Sequence, residues 1–203
     1  MNILGAIIAG GQSRRMAGSN KLFLKLQDEF LIERAARKLN QQIGQLVINL
    51  NREEDAVKSL GYQIILDQHN DHQGPLAGIY SALNWAQKSD DKIDYVLTAP
   101  ADAPFFPDDL SKVLSNAIGN NDIAIAQYDG YPQQLFGLWS VKCLKDLSLF
   151  LENPDNRKVI SFIRSKNWVQ VDINKQQTDP FMNINTPQDW QMAQDIVAKQ
   201  GDY

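Results

Sequence analysis

The residues best equipped for chemistry lie together near the N-terminus, in the stretch IIAGGQSRRMAGSNK. A short apolar run ends in Gly10-Gly11, and Ser13, Arg14, Arg15 and Lys21 follow closely. Glycine has no Cβ, so the main chain there can approach a ligand and take unusual dihedrals. Successive N–H groups in such a turn form a concave anion site. Arginine grips two phosphate oxygens at once, and lysine adds a compact charge. The expected ligand is a phosphate chain; the bland alternative is a tight turn with solvated arginines. Two familiar phosphate loops fail on spacing. A P-loop needs Ser or Thr directly after its lysine, whereas Leu22 follows Lys21, and Gly10-Gly11-Gln12 does not fit G-x-G-x-x-G.

Other polar residues stand at the ends of apolar runs. Asp102, in TAPADAPFFP, can hold Mg²⁺, a hard cation bound by oxygens and shared with substrate phosphates, or can simply form an Asx-turn. Asn49 and Asp67 end two strand-like runs. Gly74–Gly78 reads either as a close-approach turn or as a plain loop-to-helix junction. Asn183 and Asn185, in MNINTPQDW, can complete a metal or phosphate shell or serve as helix caps. Arg157-Lys158, with Arg164, is a second basic patch or a solvated helix start. Both histidines fall in Asp67–His72, which has neither the four-ligand set of structural zinc nor an HExxH helix, so a polar turn is the reading there.

The elements that must position these residues alternate along the first half of the chain. Gly5–Ala9, Leu46–Leu50, Tyr62–Leu66 and Tyr95–Ala99 read as strands. Phe30–Leu39, Glu53–Leu60 and Leu76–Gln87 read as helices between them. Strands separated by helices favour a mostly parallel sheet covered on both faces, with ligands outside the carboxyl ends of the strands. Gly10–Lys21, Asp67 and Ala101–Pro104 all follow strands and are expected on one edge. Farther along, Ile123–Gln127 and Leu135–Trp139 flank a turn at Asp129–Pro132, Val141–Leu151 and Val159–Lys166 look helical, and Trp168–Val171 looks extended. Thr186 is the expected N-cap of a last helix, with Pro187 in its first turn.

A chain of 203 residues with 43% hydrophobic content suits one domain over 1–203. The single cysteine, Cys143, excludes an internal disulfide and a cysteine zinc site. The N-terminal apolar run carries its positive charges behind it and is too short for a span, so neither a secretory signal nor a membrane anchor is expected and the cytoplasm is the default location. A net charge of −4 argues against general nucleic-acid binding.

The loop resembles the L-A-G-G-x-S-x-R-M-G-x-x-K signature of nucleotidyltransferases related to molybdenum cofactor guanylyltransferase. Ordered matches continue through Val47–Arg52, Asp67, Gly74–Gly78, Pro100–Pro104 and Asn183–Asp189, most of the chain. The resemblance implies a three-layer Rossmann-like α/β fold with a mostly parallel sheet. It implies transfer of GMP from GTP to molybdopterin, release of pyrophosphate, and Mg²⁺ as cofactor. Ile8, Ala9, Gly10, Gly11, Ser13, Lys21, Asn49, Asp67, Gly78 and Asp102 match its nucleotide-binding positions; Arg15, Lys21 and Asp102 match the catalytic ones, and Asp102 the metal ligand. Asn183, Asn185 and Arg157 are accessory candidates, Arg157 for the pterin phosphate. Partners implied are GTP, the molybdopterin cofactor and molybdoenzyme-maturation proteins. Related cytidylyltransferases carry A-A-G where this chain has Ala9-Gly10-Gly11, which favours guanine, and an aspartate such as Asp67 can accept from both N1–H and N2–H₂ of that base. Two positions depart from the pattern: Ala101 replaces a cysteine, and Ala17 precedes Gly18 where glycine directly follows methionine in the family. Competing readings are a cytidylyltransferase for the same cofactor, a sugar-1-phosphate nucleotidylyltransferase, and a nucleotide-sensing binding protein without catalysis.

Overall fold

The computed structural model describes residues 1–9, 15, 16, 19–67, 74–153 and 155–200. Seven strands form its main sheet: β1 (Ile3–Ile8), β2 (Leu46–Leu50), β3 (Gln63–Leu66), β4 (Tyr95–Pro100), β5 (Ile123–Tyr128), β6 (Tyr131–Ser140) and β7 (Trp168–Asp172). Their spatial order is β7-β5-β6-β4-β1-β2-β3, and all share one direction except β6. The helices are α1 (Leu31–Ile43), α2 (Asp55–Lys58), α3 (Pro75–Lys88), α4 (Leu110–Ala117), α5 (Leu144–Leu151), α6 (Val159–Arg164) and α7 (Pro187–Gln200).

Strand alternation sorts the apolar residues into two layers, because successive side chains point to opposite faces. Leu4, Ala6 and Ile8 of β1, Val47 of β2 and Val96 of β4 join the buried faces of α3, α5 and α6. Ile7, Ile48, Leu97 and Ala99 join those of α1 and α4 on the other side. Both faces of the central strands are therefore covered, the condition under which parallel sheets form. A smaller cluster of Leu26, Leu31, Ile184, Ala193 and Val197 fastens α7 to the body. The α/β expectation and the mostly parallel sheet are borne out.

Several local features differ from the sequence reading; the helix expected over Glu53–Leu60, for one, is only Asp55–Lys58. Helix α4 is absent from the sequence reading; of its buried residues, Leu110, Ser111 and Leu114, only the two leucines are apolar, too little periodicity to stand out. Strand β6 begins at Tyr131, directly after the turn, rather than at Leu135. Asp129 and Gly130 both take positive φ (49° and 82°), the conformation of a two-residue hairpin whose twist matches its strands, so pairing starts at once. The helix expected over Val141–Leu151 is a 3-10 turn, Val141–Cys143, followed by α5. Ser140 Oγ accepts from the Lys142 N–H at 3.3 Å and caps that turn.

Candidate active site

The chain passes from β1 outward to β2 and β3, then returns across the sheet to β4 on the other side of β1. Such a reversal opens a crevice at the carboxyl ends of the two strands where the order changes. Here those ends are Ile8 and Pro100, which lie side by side in register. The N–H of Ala101 donates to the Ile8 carbonyl at 3.2 Å, prolonging the ladder one residue beyond the strands. The segments leading to the glycine–arginine loop and to Asp102 therefore start in contact. Gly10, Gly11 and Ser13 themselves lie outside the described residues, and for Arg15 and Lys21 only the backbone is described.

Asp102 is half-buried, and its carbonyl accepts the Ile184 N–H at 2.8 Å. Ile184 is fully buried, so this bond anchors the C-terminal motif beside the Asp102 loop and leaves Asn183 and Asn185 exposed on either side. The helix that follows is capped as expected. Thr186 Oγ1 accepts from the Asp189 N–H at 3.1 Å, and Asp189 Oδ2 accepts from the N–H groups of Asn185 and Thr186 at 2.9 and 2.8 Å. Beneath, Phe136 of β6 packs on Phe106 and Phe181, with ring centroids 5.6 and 4.7 Å away, tying the segment after Asp102 to the segment before Asn183.

On the other flank of β1, Ile8 lies beside Asn49, and the Ala9 N–H donates to the Asn49 carbonyl at 3.0 Å. The N–H of Ala9 is thus taken up by the ladder. The Asp67 N–H continues the next ladder to the Leu50 carbonyl at 3.0 Å. This brings the Asn49 and Asp67 side chains together, Nδ2 donating to the Asp67 carboxylate at 2.9 Å. Asn49 is fully buried, and a Cβ built on Gly78 of α3 would stand 2.3 Å from its Oδ1. Glycine is therefore required at position 78 for close packing of α3 on the strand ends. At the head of the same helix, a Cβ on Gly74 would lie 4.0 Å from the Arg157 carbonyl, which places exposed Arg157 near that turn. Arg157 and Lys158 precede α6, whereas Arg164 is its last residue, at the opposite end of the helix from Lys158.

Sequence reasoning missed the support under β4. Buried Thr98 donates through Oγ1 to the Leu135 carbonyl at 2.7 Å and accepts from Trp139 Nε1 at 2.9 Å, fixing β6 against the strand that carries Asp102. No spacing rule finds a bond between residues this far apart in the chain. Among the described residues no group of three or more His, Cys, Asp or Glu side chains could hold a metal. His69 and His72 lie outside them.

Comparison with known proteins agrees with this geometry. The chain is 35% identical over 197 residues to a molybdenum cofactor guanylyltransferase of Mesorhizobium japonicum, covering 95% of this chain and 94% of the relative. A protein of the same name from Cereibacter sphaeroides is 33% identical over 199 residues, covering 98% of this chain and 99% of its own. In fold, the chain superposes on the crystal structure of molybdopterin-guanine dinucleotide biosynthesis protein A from Archaeoglobus fulgidus with a TM-score of 0.75 at 24% identity, over 98% of this chain and 100% of that one. The family model for the MobA-like NTP transferase domain matches residues 5–170, a span that contains the loop, the Asn49–Asp67 pair and Asp102 alike. With the strand order and these matches in hand, the chain belongs to the MobA-like NTP transferase family.

Proposed function

We propose that this enzyme transfers GMP from GTP to the terminal phosphate of the molybdopterin cofactor, releasing pyrophosphate. The observation that carries the reading is the junction at Ile8 and Pro100, which starts the cationic loop and the Asp102 segment from adjacent strand ends. In this reading one nucleotidyltransferase domain spans 1–203 and works in the cytoplasm, with molybdoenzyme-maturation proteins receiving the product.

The loop amides from Gly10 to Ser13, with Arg15 and Lys21, hold the triphosphate and neutralise charge growing on the leaving pyrophosphate. Asp67 accepts from the guanine edge. Asp102 is the ligand for a divalent cation, Mg²⁺ in the first instance. One half-buried carboxylate suits that ion, which keeps waters and takes its other oxygens from substrate phosphates. When bound it supplies Lewis-acid stabilisation of phosphate charge. Asn183 and Asn185 stand on either side of Ile184, whose N–H donates to the Asp102 carbonyl, and in this reading they orient phosphate or metal-bound water. Arg157, near the Gly74 turn, is the candidate to receive the anionic pterin phosphate. The attacking phosphate monoester is largely ionised at neutral pH, since its second pKa is about 6, so no strong general base is needed. The protein acts by positioning and electrostatics, bringing the attacking oxygen in line with the α-phosphorus.

Mixing the protein with GTP, Mg²⁺ and molybdopterin and following pyrophosphate tests the proposal. Lys21→Ala and Asp102→Ala should each lower turnover by roughly 10²–10³. Near-wild-type rates in both variants, or preferential use of CTP or a sugar 1-phosphate, would overturn it.

A further inference from the structure

Strand β6 runs against the other strands of the main sheet, so its first residues stand at the carboxyl ends of β4 and β5, where the crevice opens. Its ladder to β5 is in register at Tyr131 and Pro132, opposite Tyr128 and Gln127, and again from Gly137, opposite Ile125. Between these two stretches four residues of β6, Gln133–Phe136, face Ala126 alone. A bulge of this kind leaves residues without ladder partners, bends the strand and re-aims the side chains it carries.

This one is held from both faces of the sheet. Phe136 is buried, its ring against Phe106 and Phe181 on the α1 and α4 side. The Leu135 carbonyl accepts the Thr98 hydroxyl at 2.7 Å, and Thr98 accepts from Trp139 Nε1 at 2.9 Å on the opposite face, where the Trp139 ring stacks on Phe162 of α6 with centroids 6.5 Å apart. Helix α6 starts directly after Arg157-Lys158. Between the anchored part of β6 and the hairpin turn lie Gln133 and Gln134, both half-buried, beyond Thr98 on the side where β4 runs out to Asp102. Gln133 Nε2 donates to the Tyr131 carbonyl at 3.3 Å, which leaves its Oε1 to accept. The Gln134 side chain makes no hydrogen bond to any other of the described residues.

We propose that Gln134, supported by Gln133, is a specificity-determining residue for the acceptor. Its amide reads the pterin ring, while Arg157, at the head of the helix packed on the same strand, takes the phosphate. A primary amide presents a donor and an acceptor side by side. That is the complement of a heterocycle edge with a ring N–H beside a carbonyl, as in the pyrimidine ring of a pterin, and it matches the way glutamine pairs with base edges. The Asn49–Asp67 pair lies on the other flank, since β4 and β1 separate β6 from β2 and β3. Changes in the bulge should therefore move the acceptor and not the nucleotide. The inference deepens the proposed function and rests on its reading of molybdopterin as the acceptor.

Pyrophosphate release gives kcat and KM for each substrate in wild type, Gln134→Leu, Gln134→Met and the double variant Gln133→Leu/Gln134→Leu. Pterin fluorescence gives the Kd for molybdopterin, and the thermal midpoint reports folding. Each single variant should raise KM and Kd for molybdopterin roughly tenfold, and the double variant roughly a hundredfold, with KM for GTP at the wild-type value. A bulge that only ends the sheet would leave both acceptor constants unmoved in variants that melt like wild type. That result overturns the inference, while transfer by wild type keeps the proposed function. An equal rise in KM for GTP overturns it too, because the amide then serves the whole crevice. If wild type transfers nothing to molybdopterin, the proposed function fails and this inference falls with it. Gln134→Met keeps the length of the side chain and removes only the amide, so it decides should the leucine variant not fold.

Discussion

The backbone N–H of Ile184 donates to the carbonyl of Asp102 at 2.8 Å, joining a buried residue of the C-terminal motif to the segment that leaves β4. The bond gives the last part of the chain a stake in the crevice that its position in sequence does not reveal. It also makes the small cluster around α7 part of the support of Asp102, because Ile184 is held there by Leu26, Leu31, Ala193 and Val197.

Truncating Ile184 to alanine should therefore do two things. It should destabilise the fold by about 2–5 kcal/mol, the usual loss for a fully buried isoleucine. It should also lower turnover at temperatures where the variant remains folded, because the packing that holds the residue-184 N–H against the Asp102 carbonyl is loosened. Urea unfolding and pyrophosphate release measure the two effects separately; a destabilised variant with full turnover would contradict the second.

Thr98 offers a test of the support under β4. Valine in its place keeps the shape but leaves the buried Trp139 Nε1–H without its acceptor. The expected loss is about 1–3 kcal/mol. Chemical denaturation followed by tryptophan fluorescence reads it, and an unchanged midpoint would count against the bond.

Burial, aided by the nearby Asp122, pushes the Cys143 thiol from its ordinary 9.0 up to about 12. Iodoacetamide at pH 8 should leave the native protein unlabelled and modify it readily in urea, as mass spectrometry would show. The linked stability has a defined direction. The unfolded chain gives up this proton near pH 9 and the folded chain near 12, so the contribution is complete below pH 9 and is lost as pH rises between these values.

Nucleotide binding should appear as stability. A ligand bound only by the native state and present at 100 times its Kd adds about 2.7 kcal/mol. Thermal scans with GTP, CTP, UTP and ATP, each with and without Mg²⁺, should show the largest shift for GTP with the cation. Equal shifts for all four would contradict guanine selectivity.

Much of this was written in local sequence. Apolar runs such as Leu46–Leu50, separated by helical spacing such as that of Ile32, Ala35, Ala36 and Leu39, specify alternating strands and helices because each period matches one backbone geometry. Thr186-Pro187 announces its helix start because a cap is satisfied within one turn. The ordered motifs identified the family, and of the three segments expected on one edge, Gly10–Lys21, Asp67 and Ala101–Pro104, Asp67 and Ala101 do leave the sheet from parallel strand ends, while residues 10–14, 17 and 18 lie outside the described residues.

What the sequence left open is who stands beside whom. That β4 returns to pair with β1, that β6 runs against its neighbours, and that the Asn49 amide lies between Asp67 and Gly78 all depend on contacts between residues distant along the chain. Such contacts follow from the fit of whole faces and from hydrogen-bond satisfaction in the interior, and neither leaves a period in the sequence. Local order named the groups; only tertiary packing decided that Asn49 would be sealed away from solvent while its neighbour Asp67 remained half-buried at the crevice.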